Sequence, residues 1–82
     1  MSGRLEGMAA VVTGGSRGIG AGIAAALAAE GARVAISGRT EATLVETAEA
    51  IGGLAVVADA RDADSAREPV RRAIAEFGKV DI

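Results

Sequence analysis

The sequence predicts an α/β fold, a parallel sheet with helices packed on its faces. Two observations carry that prediction. Short apolar runs rich in β-branched residues alternate with longer segments of helical periodicity, and a glycine-rich turn joins the first run to the first helix. The 82 residues leave room for one small domain.

Residues 1–7 read as a polar lead-in, and residues 8–12 as a continuous apolar run of the kind buried on both faces of a parallel sheet. From residue 19 to 30 the pattern is helical, with Ile23, Ala24, Leu27 and Ala28 on one stripe and Gly31 at the stop. Residues 34–36 form a second short strand. Thr40 is placed to cap a helix over residues 41–51, with Leu44, Ala48 and Ile51 inward and Gly52-Gly53 ending it. Residues 54–58 make a third strand and residues 59–62 a turn. A third helix reaches Phe77 with Val70, Ile74 and Phe77 as its apolar face. Ser65 and Glu68 have the spacing of a capping box, which puts Pro69 in the first turn or just past it. A start at Asp62 would instead make Pro69 a kink. Gly78 closes this helix, and residues 79–82 begin a fourth strand. The outward charges Arg71, Arg72 and Glu76, like Glu41, Glu46 and Glu49, read as solvated surface.

The turn between the first strand and the first helix is Thr13-Gly14-Gly15-Ser16-Arg17-Gly18-Ile19-Gly20. Gly14 can take the positive φ needed to leave a strand sharply, and Gly18 carries no Cβ to hold an anion away. Gly20 lets the helix lie close to the strand. A helix starting at Gly18 or Ile19 aims its unpaired N–H groups and positive dipole end at a bound phosphate. Strand, glycine-rich turn, helix and second strand within one unit make this a nucleotide-binding turn of a Rossmann-type, doubly wound sheet.

Composition narrows the rest. A net charge of −2 argues against nucleic acid or an anionic membrane as partner. With neither Cys nor His, a disulfide framework, a thiolate metal site and a Cys nucleophile are excluded, and no metal site is expected. The lack of Cys fits a cytoplasmic protein. The longest apolar run, residues 18–29, is too short to span a bilayer, and no signal-like apolar segment follows the N-terminal basic residue.

These residues resemble the short-chain dehydrogenase/reductase family from Met8 onward. The family's cofactor signature stands here as Thr13-Gly14-x-x-x-Gly18-x-Gly20, its Asp after the third strand as Asp59, and its lead-in to the fourth strand as residues 77–82. The resemblance implies that Ser16 and the Ile19 N–H meet the pyrophosphate, that Asp59 takes the adenine amino group, and that the Ala60 amide meets the ring. Relatives that prefer NAD carry an acid after the second strand. Here Gly38 stands at that place, followed by Arg39, whose guanidinium can bind a 2′-phosphate bidentately. Arg17 can close on the same phosphate and Thr40 can touch it, so NADP(H) is the expected cofactor. The family moves hydride between nicotinamide and a carbonyl or alcohol substrate, and its members usually form homo-oligomers.

The family's proton chemistry needs a Tyr, a Lys one turn later, a Ser and an Asn. This sequence has no Tyr and no Asn, and its one Lys, Lys79, lies in the lead-in to the fourth strand. No catalytic residue is therefore assigned, and no turnover is expected of these residues alone. Residues 1–82 read as the N-terminal part of a single NADP-binding domain, truncated before its catalytic segments. The alternatives are a non-catalytic nucleotide-binding module and a purely structural fragment. Residues 80–82 are expected alongside and parallel to the first strand, with one or two hydrogen bonds, leaving Val11 and Val12 on an open edge. Completion of the sheet is expected to need a longer chain or a partner.

Overall fold

The computed structural model describes residues 4–14, 18–59 and 61–82. Among them the elements follow one another as β1 (Ala9–Thr13), α1 (Gly18–Ala29), β2 (Arg33–Gly38), α2 (Glu41–Ile51), β3 (Leu54–Val57) and α3 (Ala63–Phe77). The strands form one parallel sheet in the order β1-β2-β3, with Ala9 opposite Arg33, Thr13 opposite Ser37, and Gly38 opposite Val57. The predicted α/β class and the alternation of elements are both present.

Strand periodicity assigns the two faces. On one, Ala10, Val34 and Ile36 pack with Ala24 of α1 and with Leu44 and Ala48 of α2. α3 touches all of the strands and neither of the other helices, so it covers the opposite face, where Ala9, Ala35 and Val56 are buried. Strands lined by Ala let the helices lie close at the cost of apolar area per residue. At its far end α3 is tied to β2: the Arg33 guanidinium lies 5.4 Å from the Phe77 ring centroid and donates to the Phe77 carbonyl at 3.1 Å.

Three helical details differ from the sequence reading. In α1 the stripe turns Ala24 inward and leaves Ile23 49% exposed. In α3 the residues against the sheet are Pro69 and Ala73, while Val70 and Ile74 face solvent. The helix is rotated because a flat ring and a methyl fit against the buried alanines of the sheet where longer side chains would hold it off. The capping box is not formed either. Asp62 is the N-cap of α3, its Oδ1 accepting from the Asp64 N–H at 3.1 Å, so Pro69 lies inside the helix. There Pro69 has no N–H to return to the Ser65 carbonyl.

Thr40 is at the N-cap of α2 but its hydroxyl makes no cap hydrogen bond. Its carbonyl accepts from the Thr43 hydroxyl and the Leu44 N–H, and Glu41 supplies the negative charge that suits a helix start. Gly53, just before β3, is forced by a close approach. A Cβ there would lie 2.6 Å from the Val34 carbonyl oxygen.

Residues 79–82 form no assigned strand, yet they occupy the outer edge of β1. The Ala9 carbonyl accepts from the Asp81 and Ile82 N–H groups at 2.7 and 3.2 Å, and the Val11 N–H donates to the Ile82 carbonyl at 3.0 Å. Both chains advance in the same direction, as expected for a parallel neighbour. Of the edge expected to be open, the Val11 N–H is therefore paired. The Asp81 carboxylate adds a bond from the Ala9 N–H and an ion pair with Lys79, and these hold its pKa below the ordinary carboxylate value.

Candidate functional site

In-register parallel pairing brings the C-terminal ends of the strands to one edge of the sheet. The strand ends and the loops that leave them enclose a cleft of about 410 Å³ lined by Thr13 and Gly14 at the end of β1, by Gly38, Arg39 and Thr40 at the end of β2, and by Asp59 and Arg61 after β3. Loops beyond the carboxyl ends of parallel strands are where open α/β sheets bind ligands.

Each wall has a local cause. Gly14, which lines the cleft, and Gly18, which stands outside the described lining, take φ of +68° and +66°, and a Cβ built on either would meet no atom of the described residues within 4 Å. Their backbone is thus bare toward open space at the start of α1, whose first turn carries no acidic side chain to compete with an anion. Ile19, 84% exposed, and half-buried Gly20 complete that turn, and neither is among the residues that line the cleft. Ser16, Arg17 and Ala60 lie outside the described residues.

Gly38 ends β2 and its carbonyl accepts from the Ala58 N–H at 2.9 Å, which carries the pairing with β3 to the cleft floor. Arg39 projects from the next position. Among the described residues it forms no hydrogen bond or ion pair, and its charge helps to lower the Asp59 pKa. The Thr40 hydroxyl, not used as a cap, is available to the cleft that Thr40 lines.

Asp59 is the most firmly held group in the cleft. Its N–H donates to the Ser65 hydroxyl at 2.8 Å, and its carbonyl accepts from the Asp62 N–H at 3.0 Å. Its Oδ1 accepts from the Arg61 N–H at 2.9 Å and from Arg61 Nε at 3.1 Å, while Oδ2 accepts from Arg61 Nη2 at 3.0 Å. The Arg61 guanidinium and backbone hold the Asp59 carboxyl down at about 2, with Arg39 adding a smaller pull. Arg61 and Ser65 were not singled out from the sequence as site residues. The signal for Arg61 was its position two residues after Asp59, the reach at which a side chain folds back on a carboxylate.

With Arg39 and Arg61 against Asp59, the described lining carries one net positive charge, suited to an anionic ligand. Among the described residues no cluster of acidic side chains could hold a metal ion, and no helix is long and apolar enough to cross a membrane. The donors, the bare glycine backbone and the cationic wall fit the phosphates of a dinucleotide.

A family model described as short chain dehydrogenase matches residues 8–82. The chain belongs to that family. Within this short-chain dehydrogenase chain, 81 aligned residues are 46% identical to cis-1,2-dihydrobenzene-1,2-diol dehydrogenase of Pseudomonas putida, covering 95% of this chain and 29% of that one. It is 38% identical over 92 residues to 12α-hydroxysteroid dehydrogenase of a Clostridium species, covering 98% of this chain and 36% of the relative. Among solved structures, 3-ketoacyl-(acyl-carrier-protein) reductase of Brucella melitensis, complexed with NADH, superposes with a TM-score of 0.89 at 39% identity, covering 94% of this chain and 32% of that one. Hydroxysteroid dehydrogenase of Escherichia coli superposes with a TM-score of 0.90 at 30% identity, covering 95% and 35% respectively. The chain spans about a third of the length of these relatives.

Proposed function

We propose that this chain is the NADP(H)-binding part of a short-chain oxidoreductase acting on a small carbonyl or alcohol substrate. The observation that supports the reading is the shared cleft, where Gly14, Gly38, Arg39, Thr40 and Asp59 meet at one sheet edge. Gly14, Gly18, Ile19 and Gly20 would bind the pyrophosphate through bare backbone and the start of α1, with Ser16 adding a hydroxyl. Arg39 and Arg17 would grip the 2′-phosphate beside Gly38, where an acid would repel it, and Thr40 would add a hydroxyl. Asp59 would accept from the adenine amino group, with the Ala60 amide against the ring.

When bound, the nicotinamide supplies the hydride acceptor or donor. This chain's residues would anchor the other end of the cofactor and fix its direction out of the cleft. The proton that accompanies the hydride needs a Tyr and Lys pair that this sequence lacks, so the reacting groups are assigned to a longer protein. The fraction of its relatives that the chain spans supports reading residues 1–82 as the N-terminal part of one such domain. We read the whole protein as a cytoplasmic homo-oligomer with neither nucleic acid nor membrane as partner.

NAD(H) is the second reading, favoured by the NADH bound to the similar Brucella reductase. Calorimetric titration of the intact protein with NADPH and NADH decides between them. A charge-assisted bond to the 2′-phosphate contributes about 1.5–3 kcal/mol, so NADPH should bind about tenfold tighter or better. Equal affinities would overturn the NADP(H) reading, and no binding of either would overturn the site.

A further inference from the structure

A carboxylate offers about four lone-pair positions. In Asp59, Oδ1 takes two donors from Arg61 and Oδ2 takes one, so a single well-directed position remains, on Oδ2. The rest of residue 59 is equally fixed, its N–H by Ser65 and its carbonyl by Asp62. An exposed ion pair by itself stabilises a fold little. Here both residues line the cleft, and the two-point grip of a guanidinium sets the rotation of the carboxylate as a single-point cation could not. The other charge acting on Asp59 is Arg39, which would draw the carboxylate toward itself if Arg61 released it. Oδ1 of Asp62 accepts from the Asp64 N–H at the start of α3.

We propose that Arg61 is a positioning residue that holds the Asp59 carboxylate with one oxygen left to the cleft, and so selects a 6-aminopurine over a 6-oxopurine. The inference rests on the nucleotide reading of the cleft. An exocyclic amino group donates to the free position on Oδ2, whereas an exocyclic oxygen sets two acceptors against each other. Arg61 touches neither purine nor phosphate in this role. It acts through Asp59 and leaves Arg39 free for another anion.

The test compares binding of NADPH with that of its hypoxanthine analogue by the intact protein and by two variants, Arg61→Leu and Arg61→Lys. The unmutated protein should prefer the adenine form about tenfold, the scale of one charge-assisted hydrogen bond. Arg61→Leu should lose most of that preference by weakening the adenine form, with the thermal midpoint of the free protein nearly unchanged. Arg61→Lys keeps the charge without the fork and should lose most of it too. It carries the test alone if the Leu variant does not fold. A preference that survives in the variants, or is absent from the unmutated protein, overturns the role of Arg61 while leaving nucleotide binding intact. Failure of the unmutated protein to bind either compound overturns the nucleotide reading itself.

Discussion

The Asp81 carboxylate accepts a hydrogen bond from the Ala9 N–H at 2.9 Å, joining positions 72 residues apart. It satisfies the first donor of β1 while the neighbouring backbone pairs with the Ala9 carbonyl and the Val11 N–H. Asp81→Ala should therefore lower the thermal midpoint and speed hydrogen exchange at Ala9, and Asp81→Asn, which retains an acceptor, should do less. Because the folded pKa is depressed, this contribution is present above the ordinary carboxylate range and fades as pH falls below it. Midpoints of the unmutated protein and Asp81→Ala should converge in acid.

Gly53→Ala should destabilise the fold by about 1–3 kcal/mol, the usual cost of overpacking. The added methyl would meet the Val34 carbonyl at 2.6 Å, and backbone cannot swing aside as a side-chain tip can. Denaturant unfolding measures it, and an unchanged midpoint would refute the close approach.

Gly18→Val should abolish the thermal shift given by NADPH. It should also cost stability, about 1–3 kcal/mol, because φ is +66° there and a β-branched residue strains at that angle. Gly22→Ala, in the same helix with open space and no positive φ, is the control and should bind normally.

Gly38→Asp with Arg39→Leu should reverse the cofactor preference. The introduced carboxylate can accept from the ribose hydroxyls of NAD(H), and it repels a 2′-phosphate whose guanidinium partner has been removed. A double variant that still binds NADPH tenfold tighter, about 1.4 kcal/mol, would show that the selectivity lies elsewhere.

The Asp59 carboxyl should titrate near pH 2 by carbon-detected NMR and rise toward the ordinary range in Arg61→Leu. The sign follows from a depressed folded pKa. The small stabilisation that this exposed pair gives is present above the unfolded value and is lost as pH falls through about 2. Unchanged titration in the variant would separate the ion pair from the shift.

The order of elements and the glycine turn were legible because they depend on local pattern. Gly14 needs a positive φ wherever a strand leaves this way, and Leu44 and Ala48 recur at helical spacing. The caps were less legible because several polar residues competed. Asp62 and Ser65 could each start α3, and the choice went to Asp62 once Ser65 was engaged by the Asp59 N–H. The face of α3 was misread for a related reason. Hydrophobicity ranks Val70 and Ile74 above Ala73, but what decides is the room left by alanines on strands distant in sequence. Arg61 escaped notice because its spacing from Asp59 permits the pair without specifying the side-chain rotation that forms it.

The bridge from Ala9 to Asp81 also has a consequence in time. β1 is among the first elements to be synthesised, yet the carboxylate that takes its first donor comes 72 residues later. At roughly 5–20 residues per second, that edge waits on the order of 4–14 s on the ribosome. Throughout the interval β1 can offer donors to any passing strand. Asp81 ends that exposure at Ala9 by placing a charge where another chain would have to pair.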